Sequence, residues 1–325
     1  MKRTNISNRK RNSSLSKSEF GQMLATLIHE SGERSRPVFR APDFALAGNA
    51  GKVLLLENIY SEYRMAPERE RGKLLRAVTR TWFRAEQRVP EDFEEARPDL
   101  IPTIQGRGFH ENELLEQQNG GRPASPCRII AGHFTAEVAY DWPECITHVN
   151  AEQLTTWGVG LEEALESAIG NLRMISLEGL REAEPGLWVS PWHDNYDSAR
   201  ILLPDLIRRC KVRGPHVAML PNRDSLIVTG AHDVGGLERM AALAEQASSG
   251  PRFLSGIPLL AAGDWWIPFE LPDVHPLARR YQFLRHLTMA NYYPRQGKLL
   301  ANHYARRGDD FFAASVLSGP RGVTI

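Results

Sequence analysis

The chain of 325 residues reads as an α+β protein of two lobes, with mixed or antiparallel sheets and packed helices. Two observations predict this class. Strand-like runs pair as hairpins while helical runs stand in separate blocks, an order that favours α+β over a doubly wound sheet. A stretch rich in Pro and Gly, 90–126, interrupts every periodic pattern and divides the chain.

The first helix begins after Ser16, where Ser16 and Glu19 have capping-box spacing and Phe20, Met23, Leu24, Leu27 and Ile28 share a face; Gly32 ends it. Extended pieces follow at Pro37–Arg40 and Lys52–Leu56, then a short helix at Asn58–Arg64. A longer helix at Glu68–Gln87 carries an apolar stripe of Leu74, Leu75, Val78, Trp82 and Phe83. These elements make a small α+β lobe, 18–89, behind a basic tail, 1–17, whose Asn and Ser content predicts disorder. Residues 90–126 read as a linker with one short strand at Leu100–Ile104 and an exposed loop at Gln117–Ala124.

A larger lobe, 127–325, opens with strands at Phe134–Tyr140 and Cys145–Val149, a helix at Gly160–Met174 and a strand at Leu187–Trp192. Asp197–Cys210 reads as a helix interrupted by Pro204, which lacks a backbone donor. A hairpin at His216–Leu220 and Ser225–Thr229 turns through Pro221–Asp224. A helix near Leu237–Gln246, a strand near Trp265–Leu271, helical stretches between His275 and Tyr304 and a last strand at Phe311–Leu317 complete it. Residues 275–325 read as a C-terminal helical extension.

The formal charge of +1 conceals an asymmetry: six basic residues precede Glu19, the first acid, which leaves 34 basic against 39 acidic residues beyond the tail. A body of that sign predicts no strong nucleic-acid binding, because phosphate recognition rests on clustered Lys and Arg. The basic start lacks the apolar run of a secretory signal, and no segment has the length of a membrane span, so a cytoplasmic protein with no membrane association is expected. Three cysteines, Cys127, Cys145 and Cys210, argue for reduced thiols over a disulfide framework.

Three stretches of the larger lobe stand out: Leu161–Arg173 (LEEALESAIGNLR), His193–Leu202 (HDNYDSARIL) and Ala218–Ile227 (AMLPNRDSLI). They resemble the bacterial proteins catalogued as domain of unknown function 1444, the YtpQ-like family, across residues 18 to about 275. The most specific piece is the set Asp194, Tyr196, Asp197, Ser198 and Arg200, which opens a helix after a strand as in that family. The resemblance implies an architecture and no known chemistry. Pro204 and the C-terminal extension depart from the family pattern.

The same junction is the densest polar group in the chain. Asp194 and Asp197 could bind a cation or position a water, Ser198 could meet a phosphate at a helix N-terminus, and Arg200 could clamp an anion. The structural alternative makes Asp197 an N-cap, packs Tyr196 under the lobe and pairs Arg200 with an acid. Cys127, His133, Cys145 and His148 have zinc-ligand residue types, but C-x5-H-x11-C-x2-H is no usual finger spacing and strand alternation sets Cys145 and His148 on opposite faces; no metal and no cofactor are expected. Nucleophile-elbow and phosphate-loop patterns are absent, and Glu163 stands where the third glycine of a dinucleotide loop belongs. Trp265 and Trp266 are adjacent, so one faces the core and the other is exposed or covers a helix.

Without a complete catalytic set, the expected function is non-catalytic binding of a protein or peptide, with Tyr196, Asp224, Trp265 and Trp266 as candidate contacts. The rival reading is a hydrolase acting on a small phosphorylated or acylated substrate, with Asp194, Asp197, Ser198 and Arg200 in a cleft, His193 as acid or base and Asp224 approaching from the hairpin turn.

Overall fold

In the computed structural model, Ser16 and Glu19 form the reciprocal capping box: the Ser16 hydroxyl accepts from the Glu19 N–H and the Glu19 carboxylate accepts from the Ser16 N–H. The structure describes residues 15–41, 44–49, 52–84, 88–121, 123–143, 145–312, 317–319 and 322–324. The basic tail, the end of the Glu68–Gln87 helix and most of the Phe311–Leu317 strand lie wholly or partly outside them. The chain divides into two units at Gln87/Arg88.

The smaller unit holds α1 (Lys17–Glu30), an antiparallel sheet β1 (Val38–Arg40), β2 (Ala45–Ala47) and β3 (Val53–Leu55), then α2 (Glu57–Met65) and α3 (Glu68–Arg84). Its core is Phe20, Leu24, Ile28, Leu46, Leu56, Tyr60, Val78 and Trp82, of which Phe20, Leu24, Ile28, Val78 and Trp82 lie on the faces that helical spacing turns inward. Trp82 donates its indole N–H to Glu33 at 2.6 Å, which supplies the partner a buried indole needs.

The larger unit begins earlier than the sequence suggests. Residues 90–126 are not a linker: they contain α4 (Phe93–Ala96), a 3-10 turn (Arg97–Asp99), β4 (Leu100–Gly106) and α5 (Arg107–Gln118). The glycines there serve close packing as well as turns. A Cβ at Gly106 or Gly108 would overlap Tyr292 of the last long helix, α10 (Ala278–Arg307).

β4 pairs in seven-residue register with β6 (Phe134–Asp141), from Leu100↔Tyr140 to Gly106↔Phe134. β5 (Arg128–Ile130) and β7 (Ile146–His148) both pair with the other edge of β6, β5 near its start and β7 near its end. α6 (Ala151–Trp157) follows, capped by Asn150, and then α7 (Leu161–Met174), whose Ala164, Leu165, Ala168 and Leu172 are buried.

A second antiparallel sheet has the order β13-β12-β10-β11-β9-β8, formed by β8 (Arg181–Glu184), β9 (Leu187–Val189), β10 (His216–Met219), β11 (Ile227–Gly230), β12 (Leu259–Ala262) and β13 (Trp265–Pro268). Alternation splits its side chains. Val217, Met219 and Ile227 pack on α9 (Val234–Ser248) and α10, while Ala218, Val228 and Leu259 join the core shared with the first sheet and α7. Pro204 does not kink a helix but separates a 3-10 turn (Ser198–Leu202) from α8 (Pro204–Arg208), taking the N1 position where a missing donor is harmless.

The extension from residue 275 folds with this unit. Tyr281 donates to the Leu237 carbonyl, Tyr292 to the Leu254 carbonyl, and Arg295 pairs with Glu116 of α5. A small hairpin, β14 (Leu317–Gly319) and β15 (Gly322–Thr324), ends the chain. The fold class is α+β with antiparallel sheets. Among the described residues no helix is long and apolar enough to cross a membrane, and no disulfide forms.

Candidate functional sites

Three places in the larger unit gather chemistry. The first is the 193–200 junction. His193 and Asn195 both take left-handed backbone conformations (φ +50° and +73°), which L-residues adopt only when held. Asp197 does the holding: its carboxylate accepts from the N–H groups of His193 and Asp194, both at 3.2 Å. It therefore closes the loop behind it and is not an N-cap, since it makes no side-chain bond to the turn that follows.

Arg200 is wholly buried, stacks 3.9 Å from the Trp192 ring and donates to the Ser176 hydroxyl at 2.8 Å. Its two terminal nitrogens meet the two oxygens of Asp194 at 2.9 and 2.7 Å, the bidentate geometry that suits a guanidinium. Burial opposes the Asp194 charge, but Arg200 and the Tyr196 N–H outweigh it and hold the carboxyl below its ordinary range. Tyr196 donates to Asp141 at 2.6 Å, and burial followed by that bond pushes its own ionisation up.

Ser198 is buried, and its N–H bonds the Arg223 carbonyl. Asp224 comes near from the turn before β11, its carboxyl raised first by burial and then by the Asp197 charge. The structure thus brings His193, Asp194, Asp197 and Asp224 together, with the Asp194, Asp197 and Arg200 side chains each engaged in an internal contact.

The second place is the outer edge of the six-stranded sheet. Trp265 is 78% exposed and Ile267 shares its face, whereas Trp266 turns inward, packs on the core and donates to the Ile201 carbonyl. Alternation anticipated this split. The bond from the Phe269 N–H to the Pro258 carbonyl sets the ladder phase, so that Trp266 directs its backbone N–H and C=O away from β12. Among the described residues no strand pairs with that side of β13.

The third place has no counterpart in the sequence reading. Glu137, in the middle of β6, is 1% exposed. It stands opposite Thr103 of β4, and on its other side lies the gap between β5 and β7. α5 packs on this sheet, and His110 and Glu113 share one helix face at i, i+3 spacing. One donor atom each from His110, Glu113 and Glu137 lie within 4.8 Å of one another.

His148 brings Nδ1 to 3.0 Å from Glu137 Oε2, near enough for an ion pair yet without hydrogen-bond alignment. Burial and then the Glu137 charge raise the Glu113 carboxyl. Burial works against charge on His148, but Glu137 and Glu113 overcome it and shift His148 up. Cys127 is near enough that both glutamates, after burial, help push its thiol up to about 11.

Of the four zinc-type residues singled out from the sequence, only Cys127 and His148 border this cluster; His133 has Arg285, Arg107 and Glu270 as its charged neighbours. The missed donors sit in α5, which the glycines at 106 and 108 disguised, and in a strand where a lone glutamate among apolar residues, Phe134-Thr-Ala-Glu-Val-Ala-Tyr, was the available signal. Comparison of the chain with models of known protein families, with curated proteins and with solved structures finds no match.

Proposed function

We propose that this protein acts by binding a protein partner, taking an extended peptide segment of that partner along the outer edge of β13. The observation that carries the reading is the contrast between the two edges of the same sheet. β8, at one end, has the sequence Arg-Glu-Ala-Glu and is exposed at every position, a charged edge of the kind that discourages strand addition. β13, at the other end, presents Trp265 and Ile267 beside outward backbone groups, which is the combination that strand-addition recognition uses: main-chain bonds for affinity and alternate side chains for selectivity.

Trp265 is the anchor in this reading, and Trp266 fixes the strand to the core. Pro268 supplies an acceptor and no donor, which limits the docked segment to a few residues. Tyr196 and Asp224 lie in the polar junction and serve it as supports. Hydrolysis at 193–200 has less behind it, because Asp194, Asp197 and Arg200 already have internal partners. Kinship with the domain-of-unknown-function-1444 proteins is part of the proposal and rests on the three stretches in α7, the 193–202 junction and the β10–β11 hairpin.

The test is capture from the native cell with the full chain beside Trp265→Lys and Ile267→Lys. A partner retained by the native chain and lost by both variants, with unchanged circular dichroism, is the expected result. Equal recovery by native and variant chains, or none by either, refutes it.

A further inference from the structure

The cluster between α5 and β6 is independent of the β13 edge, and its physical problem is how two carboxylates share a largely dry space. Glu137 is almost fully enclosed, and the Thr135 hydroxyl donates to it at 3.3 Å. Among the described residues, Glu113 Oε2, His110 Nδ1 and His148 Nδ1 are each buried without a hydrogen-bond partner, as is Thr103 Oγ1 on the strand opposite Glu137. Buried polar atoms are nearly always satisfied, so several orphans converging on one point indicate a missing component.

The spacing identifies what kind. The contact from His110 Nδ1 to Glu113 Oε2 is 3.7 Å, and one donor atom each from these two and Glu137 lie within 4.8 Å of one another. Ligands about 2.1 Å from a single tetrahedral ion stand roughly 3.4 Å from each other, close to the first of those distances and inside the second. One imidazole and two carboxylates make a donor set that suits zinc or a neighbouring first-row divalent ion. An ion of charge +2 also balances the two carboxylates.

We infer that His110, Glu113 and Glu137 form a three-ligand site for zinc or a similar divalent ion, pinning α5 to the β4-β6 sheet, with His148 beside it against Glu137. Three protein donors leave the fourth position of a tetrahedral ion to a water or to a ligand atom from outside the chain. Cys127, beside Glu137 but outside the ligand set, is not required.

The full chain, purified without a histidine tag and stripped with chelator, should take up one equivalent of Zn2+ and melt at a higher temperature with it. Replacing Zn2+ with Co2+ should give the visible absorption of a tetrahedral centre with one imidazole ligand, a readout that needs no variant. His110→Ala and Glu113→Gln should weaken uptake by about a hundred-fold or more while Cys127→Ser leaves it intact. No uptake at micromolar Zn2+, unchanged uptake by His110→Ala, or an octahedral Co2+ spectrum would each overturn the assignment. So would a gain in stability from Glu137→Gln in the absence of metal with no Zn2+ effect on the native chain, because that pattern belongs to two carboxyls sharing a proton.

Discussion

Arg200 keeps its charge inside the larger unit because Asp194 lies against it on one side and Trp192 on the other. Removing one member of such a pair leaves an uncompensated buried charge, so Asp194→Ala should lower stability by about 3 kcal/mol or more, measured by urea unfolding. Arg200→Lys should not rescue it, since an ammonium cannot reproduce the bidentate fork. The pair also sets a pH dependence. The Asp194 carboxyl lies below its ordinary value of 3.8 in the folded chain, so its contribution is complete above that value and disappears as pH falls through the lower folded one. Asp194→Asn should therefore flatten the acid limb of a stability-versus-pH curve, while leaving its slope above pH 5 unchanged.

At the scale of elements, α5 and α10 meet because two glycines admit Tyr292. Gly106 lies just ahead of α5 and Gly108 within its first turn, and neither needs a left-handed backbone; what they provide is room. Gly108→Ala forces the Tyr292 ring aside and should cost about 1–3 kcal/mol by overpacking. Combining it with Tyr292→Ala should recover part of the loss, and a double-mutant cycle measures the coupling. Element-level reasoning from sequence also failed here. Reading Gly and Pro as breakers across 90–126 hides α5, because Gly106 and Gly108 serve helix packing against Tyr292. A pattern of breakers reports local preference, and local preference yields to a tertiary contact that requires a bare backbone. The Asn150 cap of α6 and the three residues of β2 were missed for another reason: both elements are too short for their periodicity to show.

At the scale of the whole molecule, each unit has its own buried core. Trp82 fills that of the smaller unit at 2% exposure, so Trp82→Ala should destabilise residues 15–84 by about 3–5 kcal/mol. Hydrogen exchange should then accelerate in α1 and α3, and amides of β6 and β10 should keep their native protection. The larger unit depends on a sheet with α9 and α10 on one face and the first sheet's core on the other, an arrangement in which the C-terminal residues are integral.

Local chemistry sufficed for what depends on neighbours in the chain: the capping box at Ser16, the helical stripes of α1 and α3, the presence of α7 and α9, the β10–β11 hairpin, the opposite facing of Trp265 and Trp266, and the α+β class that follows from their order. Only the folded chain decided where distant residues meet. It turned Asp197 from a helix cap into the clasp of a left-handed loop, made β4 and α5 part of the larger unit, and set His110, Glu113 and Glu137 around one buried point with His148 against Glu137. No spacing rule reaches across a helix and two strands, because the register of β6 with β4 and β7, not separation along the chain, brings those donors together.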